Sequence, residues 1–331
     1  MATIYDNHGR PITYARIAVT DRCNLRCFYC MPEEGIHYLP KKELLTYEEI
    51  ERLVHLLAEL GIRKIRLTGG EPFVRTDLMA LIRKIRAMEG IEEIHLTTNG
   101  VLTEPHIPEL KQLGIRSVNL SLDTLDRARF KAVTRRDEFD RVWATLQALL
   151  AHEIPVKINA VVMENQNIAD LVPMVALTKD QPVSVRFIEE MPFNGAGAHY
   201  PVLNWTYQRI LSYLREFYPT LEKIADEPHG TSYNYRVPGY RGTVGVIAAF
   251  SRTFCGTCNR IRVTAQGQLK TCLYDNGVLD VKELIRAGAT DQELHAALLR
   301  AFRQRPANGW EAEGKRGTDR PVNESMSTIG G

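Results

Sequence analysis

The sequence predicts an α/β protein, a partial (β/α)6, TIM-like barrel closed by a smaller C-terminal α+β domain. Three observations lead there. From Arg16 to about residue 190, short β-rich runs alternate with amphipathic helical segments. Successive strands are separated by a helix rather than a tight turn, which is the connection parallel strands require. Beyond residue 200 the alternation stops, and a Tyr/Val/Gly-rich stretch, a cysteine-containing stretch and a helical stretch follow. These shifts divide the chain into 1–230, the barrel, and 231–331, a second domain ending in an extended tail from Arg305.

The elements follow in order. Arg16 to Val19 is the first strand. Ile50, Leu53, Val54, Leu57 and Leu60 recur at helical spacing, and Thr46 with Glu49 forms a capping box that starts this helix. A strand from Ile65 to Thr68 ends at Gly69 and Gly70. The same unit then recurs: a helix near 77–88, a strand at 93–97, a helix near 105–113 and a strand at 117–121. Helices up to Ala151, a strand at 156–162, a helix near 168–177 and a strand at 183–188 complete about six βα units, and a helix around 205–217 follows. In such barrels the reacting groups sit at the carboxyl ends of the strands. There the sequence places Thr20 to Arg22, Thr68 to Glu71, Thr97 to Gly100, Ser121 to Asp123 and Glu189 to Met191.

Composition narrows the function. With 42 basic and 40 acidic residues the net charge is +2, so no broad basic surface invites nucleic acid or an anionic membrane. Any acidic ligand must be met by a local cluster. No apolar run is long enough to span a bilayer and the N-terminal stretch lacks a signal-peptide core, so a cytoplasmic protein is expected.

The six cysteines form two triplets, Cys23, Cys27, Cys30 and Cys255, Cys258, Cys272. Thiols of a cytosolic chain are normally kept reduced, which argues against disulfides. Three thiolates fall one short of the usual four-ligand structural zinc site. Two metal centres, each with one position left open, fit better. Around the second triplet, Arg260 and Arg262 lie two apart on a predicted strand, so their side chains leave from one face. Each planar guanidinium can donate two hydrogen bonds to an oxyanion, and together they make a phosphate or carboxylate clamp beside a metal centre.

Cys23-Asn-Leu-Arg-Cys27-Phe-Tyr-Cys30, followed after a strand by Gly69-Gly70-Glu71-Pro72, resembles the radical S-adenosylmethionine (SAM) superfamily. The resemblance implies a [4Fe–4S] cluster on Cys23, Cys27 and Cys30 whose open iron chelates SAM. It also implies cofactor contacts at Tyr29, Gly70, Ser121 and Met191. With the second triplet, Cys258-Asn-Arg-Ile-Arg262 and the terminal Gly330-Gly331, the chain closely resembles the GTP 3′,8-cyclase family of molybdenum cofactor biosynthesis. That implies a second [4Fe–4S] cluster, on Cys255, Cys258 and Cys272, whose open iron binds the guanine of GTP. Arg16, Lys64, Arg66, Thr97, Lys157, Arg260 and Arg262 would then contact GTP. Arg260, Arg262, Gly330 and Gly331 would serve the reaction, with the diglycine tail reaching into the active site.

In that chemistry an adenosyl radical takes hydrogen from C3′ of the ribose and the C3′ radical adds to C8 of guanine. The implied partners are GTP, an electron donor such as flavodoxin or ferredoxin, and a downstream cyclic pyranopterin monophosphate synthase; a homodimer is compatible. Two rival readings stay open. One is a radical SAM enzyme with an auxiliary cluster that modifies a peptide, and the other a non-catalytic Fe–S electron-transfer protein. The segment 194–201 matches no family pattern and is left unassigned.

Overall fold

A computed structural model describes residues 3–193, 203–316 and 324–330. Twelve strands form one sheet: β1 (Tyr14–Ala18), β2 (Lys64–Thr68), β3 (Glu93–Thr98), β4 (Ser117–Ser121), β5 (Val156–Val162), β6 (Val183–Glu189), β7 (Glu222–Lys223), β8 (Ser232–Arg236), β9 (Thr243–Ile247), β10 (Arg260–Val263), β11 (Gln268–Lys270) and β12 (Leu279–Asp280). Their order is β12-β11-β10-β1-β2-β3-β4-β5-β6-β9-β8-β7. The six expected strands run parallel in sequence order, as the helical crossovers require.

The sheet goes further than the six. β10 pairs in parallel with β1, and β9 in parallel with β6, so both edges of the barrel are continued by strands from beyond residue 230. Each added strand is then covered by an antiparallel neighbour, β11 on one side and β8 on the other. Edge strands left bare would present unpaired backbone groups, and these additions bury them.

One face of the barrel strands packs on the surrounding helices. Along β5, Val156, Ile158, Ala160 and Val162 are buried while the residues between them are only half-buried. Period-two alternation thus separates an apolar helix-facing side from a polar lumen. The helix Tyr47–Glu59 buries Ile50, Leu53, Val54, Leu56 and Leu57, and its Thr46/Glu49 capping box forms as expected. Burying each such Leu or Ile contributes roughly 1.5–3 kcal/mol, and losing the Thr46 cap would cost about 1 kcal/mol.

The stretch after Arg305, expected to be extended, contains two short helices, Gly309–Gly314 and Met326–Ile329. The side chain of Asn308 accepts from the N–H groups of Trp310 and Glu311, and that of Ser325 accepts from Ser327. These caps satisfy amides that an extended chain would leave to solvent. Gly331 and residues 194–202 lie outside the described residues.

Candidate active site

The parallel ladder sets polar side chains side by side inside the barrel. Arg262, Arg16, Arg66 and His95 are register partners across β10, β1, β2 and β3. Thr97, Asn119 and Lys157 line up across β3, β4 and β5, and Ser121, Asn159 and Arg186 across β4, β5 and β6. The lumen is therefore strongly cationic. Tyr14 registers this field: burial alone would raise its phenol, yet Arg16, Arg66 and Lys64 hold it down to about 7.

One cavity of about 290 Å³ opens at the carboxyl ends of the strands, and all six cysteines line it as free thiols. Arg16, Gly70, Thr97, Ser121, Tyr29, Met191, Arg260 and Arg262 line it too. The fold thus gathers most of the residues singled out in the sequence around one space. Lys64, Arg66 and Lys157 are placed differently. Lys64, at the amino end of β2, pairs with Glu93 at 3.1 Å. Arg66 is buried, donating to the Tyr14 hydroxyl at 2.5 Å and to the Leu96 carbonyl at 2.9 Å. Lys157 pairs with Glu227 at 2.9 Å. All three stand behind the cavity lining and add charge to it.

Around the first triplet, the chain is held by close backbone packing. The N–H of Gly70 donates to the Thr20 carbonyl at 2.9 Å and that of Glu71 to the Arg22 carbonyl at 2.8 Å. A Cβ on Gly69 would lie 2.3 Å from the Thr20 oxygen, and one on Gly70 2.3 Å from the Arg22 oxygen. The two glycines are thus required by the entry to the cysteine loop itself. Glu71, fully buried and raised to about 7 by burial, accepts from the Asn99 and Phe73 amides and the Thr98 hydroxyl. Asn99 in turn donates to Asn24 and toward the Cys23 sulfur. Tyr29 donates to Asp123 at 2.9 Å, which fixes the aromatic ring between Cys27 and Cys30.

The C-terminal segment reaches both ends of the cavity. Ser325 donates to the Cys30 carbonyl at 2.9 Å, and Arg262 donates to the Gly330 carbonyl at 2.5 Å. Gly330 adopts φ +84°, and a Cβ there would lie 2.8 Å from the Thr68 side chain.

At the second triplet, Arg260 turns its fork onto Cys258, with Nε 3.4 Å and Nη2 3.2 Å from the sulfur. Burial would raise this thiol, but Arg260 and Arg305 hold it down to about 6. Cys272, by contrast, is pushed up to about 12 by burial, and Cys23 likewise by burial and Glu71. Buried thiols that resist ionisation in the free protein give up their protons when iron binds, so assembly is coupled to proton release. Among the described residues no three His, Cys, Asp or Glu side chains converge closely enough for a single ion. A cubane, which takes one thiolate on each of three irons, imposes no such convergence. Soft thiolates in threes, lining one cavity, fit two iron–sulfur clusters.

Sequence reasoning passed over several residues that the fold brings here. Arg186 lines the cavity from β6 with its Nε unpartnered. Its signal was present: a charge inside an apolar strand, the same criterion that marks Arg66 and Lys157. Arg305, Arg10 and Arg252 also line the cavity. Arg252 is stacked between Tyr274 and Trp310, at 3.5 and 3.8 Å from their ring centres. No local spacing announces these three, because their partners lie far off in the chain.

Two family models match the chain, the Radical SAM superfamily over residues 17–178 and Molybdenum Cofactor Synthesis C over residues 183–310. Among curated proteins it is 43% identical to the GTP 3′,8-cyclase of Desulforamulus reducens over 98% of this chain and 99% of that one. It is also 43% identical to molybdenum cofactor biosynthesis protein 1 of Bos taurus, over 88% of this chain and 46% of that protein. The chain thus spans about half the length of the molybdenum cofactor biosynthesis protein 1 relatives it matches. Among solved structures, Streptococcus suis SuiB bound to S-adenosylmethionine superposes with a TM-score of 0.61 at 14% identity, over 95% of this chain and 70% of that one. That likeness concerns the fold.

Proposed function

The chain belongs to the GTP 3′,8-cyclase family of the radical SAM superfamily, and on that premise we propose that it cyclises GTP to 3′,8-cyclo-7,8-dihydro-GTP, the first step of molybdenum cofactor biosynthesis. The observation that carries this reading is one cavity lined by both cysteine triplets and by Arg16, Arg186, Arg260 and Arg262. In this reading residues 1–230 generate the radical and carry bases for the triphosphate, and residues 231–331 carry the second cluster and complete the substrate site.

Cys23, Cys27 and Cys30 would hold the first [4Fe–4S] cluster, and Cys255, Cys258 and Cys272 the second. When bound and reduced, the first cluster with SAM supplies the radical that takes hydrogen from the ribose of GTP. The protein's part is placement and shielding. Tyr29, Gly70, Ser121 and Met191 border the SAM side. Arg16, Arg186 and Arg262, with Thr97, face the triphosphate, and Lys64, Arg66 and Lys157 reinforce the field behind them. A cluster of partly buried guanidiniums binds an oxyanion more strongly than scattered exposed bases would, which is how a chain of net charge +2 would hold a polyanion. Gly330, with Gly331 beyond the described residues, closes the cavity over Arg262.

The donor is a low-potential carrier such as flavodoxin or ferredoxin, and the product passes to a cyclic pyranopterin monophosphate synthase. The setting is cytoplasmic, with a homodimer compatible. Among the described residues no helix is long and apolar enough to cross a membrane.

The test is anaerobic turnover of reconstituted protein with reductant, SAM and GTP. The hydrogen taken from the ribose leaves with 5′-deoxyadenosine, and one electron and one proton return, so the product is an isomer of GTP. Expected are release of 5′-deoxyadenosine and a new chromatographic species with the mass of GTP. Release of 5′-deoxyadenosine with GTP unchanged would overturn the assignment.

A further inference from the structure

Arg305 lies far from either triplet in sequence, yet it is buried against the second one. It makes five hydrogen bonds, and they use every N–H it has. Nε donates to the Thr271 carbonyl at 3.0 Å. Nη1 donates to the Cys258 carbonyl at 2.8 Å and to the carboxylate of Asp6 at 3.3 Å. Nη2 donates to the Arg260 carbonyl at 2.8 Å and to the sulfur of Cys258 at 3.0 Å. One planar group therefore ties the Cys258 segment to the Thr271–Cys272 segment and also touches a ligand sulfur directly.

The group is aimed from the other end of the chain. Asp6 has a fully buried side chain that accepts from Arg10 Nε at 2.7 Å, from the amides of Arg10 and His8, and from Arg305. Arg10 donates in turn to the carbonyls of Cys255, Pro306 and Ala307. An N-terminal turn thus clasps the second cysteine loop and fixes the plane of Arg305. A carboxylate buried this deeply is costly unless paired, and here two guanidiniums pair it.

We propose that Arg305, oriented by Asp6, is a positioning residue that stabilises the reduced form of the cluster held by Cys255, Cys258 and Cys272. The proposal rests on the reading that this triplet carries a [4Fe–4S] cluster. Reduction adds one electron, supplied by the same reductant the activity needs; no covalent bond forms or breaks and no proton must move. The reduced cluster carries one more negative charge. An N–H aimed at a ligand sulfur and a buried cation beside it interact more strongly with that state, so they raise its potential. Arg260 adds to the effect on the same sulfur, but Arg305 has no free N–H left for substrate. Its role is directed to the cluster alone.

The experiment uses the full chain with Cys23, Cys27 and Cys30 changed to Ala, so that a single cluster is read, anaerobically reconstituted and poised with redox mediators. Iron content and the electron paramagnetic resonance signal are followed in this background and in Arg305→Gln, Arg305→Lys and Asp6→Asn. Expected is full iron loading with a reduced-to-oxidised ratio about tenfold lower at fixed poise in Arg305→Gln. Arg305→Lys, which keeps the charge without the fork, and Asp6→Asn, which loosens its aim, should fall between. Loaded Arg305→Gln and Arg305→Lys at the parent's potential would overturn the proposal. Loss of iron from both variants would overturn it as well, making Arg305 a residue of assembly. Absence of a cluster in the background with Arg305 intact would refute the assignment of the second triplet instead.

Discussion

Arg262 Nη1 and the carbonyl oxygen of Gly330 lie 2.5 Å apart. The end of the chain therefore rests on the same guanidinium face that the proposed function assigns to the triphosphate. Arg262 has Arg16 as its register partner, and burial together with Arg16 and Arg260 lowers its pKa. A carbonyl is a weak partner for so crowded a cation, and a phosphate oxygen would be a stronger one.

Gly330→Ala follows from this contact. Its φ of +84° and the 2.8 Å approach of a Cβ to Thr68 leave no unstrained place for a methyl group. Strain of about 1 kcal/mol or more should loosen the last turn of the tail over Arg262, while Ile329 stays packed with Phe193 and Tyr274. The expected outcome is less cyclised product per 5′-deoxyadenosine released. An unchanged ratio would count against a role for the docked tail.

Gly70→Ala should act on the first cluster. The added Cβ would meet the Arg22 carbonyl at 2.3 Å, and this contact is backbone against backbone, so the loop bearing Cys23 must move. Iron content should drop by about half, the share of one cluster of two. Gly314→Ala is the control. Nothing lies within 4 Å of a Cβ there, and it should keep full iron. Full loading of Gly70→Ala would show that the loop can yield.

Arg186→Ala should weaken triphosphate binding about tenfold or more, as expected for loss of a charged hydrogen-bond donor in a buried site. Arg186 lies 3.8 Å from Glu227 and burial lowers its pKa. Equilibrium binding of a nucleoside triphosphate to the reconstituted protein would measure the effect. Affinity unchanged from the parent would place Arg186 in a structural role.

The pH dependence of folding has a source away from the cysteines. His95 is kept at about 3 by burial and by Arg66 and Lys64. Glu93 beside it is drawn down by His95 and Lys64 despite burial. Unfolded, His95 would take up a proton near its ordinary 6.5, while the folded form resists until far lower pH. Its stabilising contribution is therefore complete above about pH 6.5 and is lost as pH falls toward 3. His95→Gln should flatten the melting temperature against pH over that window. An identical slope in the variant would refute this.

The six parallel strands could be read in the sequence because each is announced by a local pattern. Apolar runs end in polar or glycine-rich groups, and a cap such as Thr46 with Glu49 starts the next helix. The cysteines were legible for the same reason: ligand spacing within a loop is local. The pairing of β10 with β1 and of β9 with β6 was not legible, since strands so distant in sequence carry no mark of their neighbours. Arg305 and Asp6 illustrate the limit. Each looks like an ordinary charge near a chain end, and only the fold brings them together against Cys258. Gly69 and Gly70 stand out in the sequence at the end of a strand and by their likeness to a family motif, but what they pack against, the backbone of Thr20 and Arg22, lies some fifty residues away and is set by the fold.

Because β1 is hydrogen-bonded to β2 on one side and to β10 on the other, the two cysteine sets hang from a single backbone lattice. In the proposed reaction, the span between the two triplets is a count of ladder rungs, set when the sheet forms. The spacing of the two triplets is inherited from strand pairing, so a register slip of β10 against β1 would shift the second triplet against the first and, in the proposed reaction, misplace the substrate without altering a single cysteine.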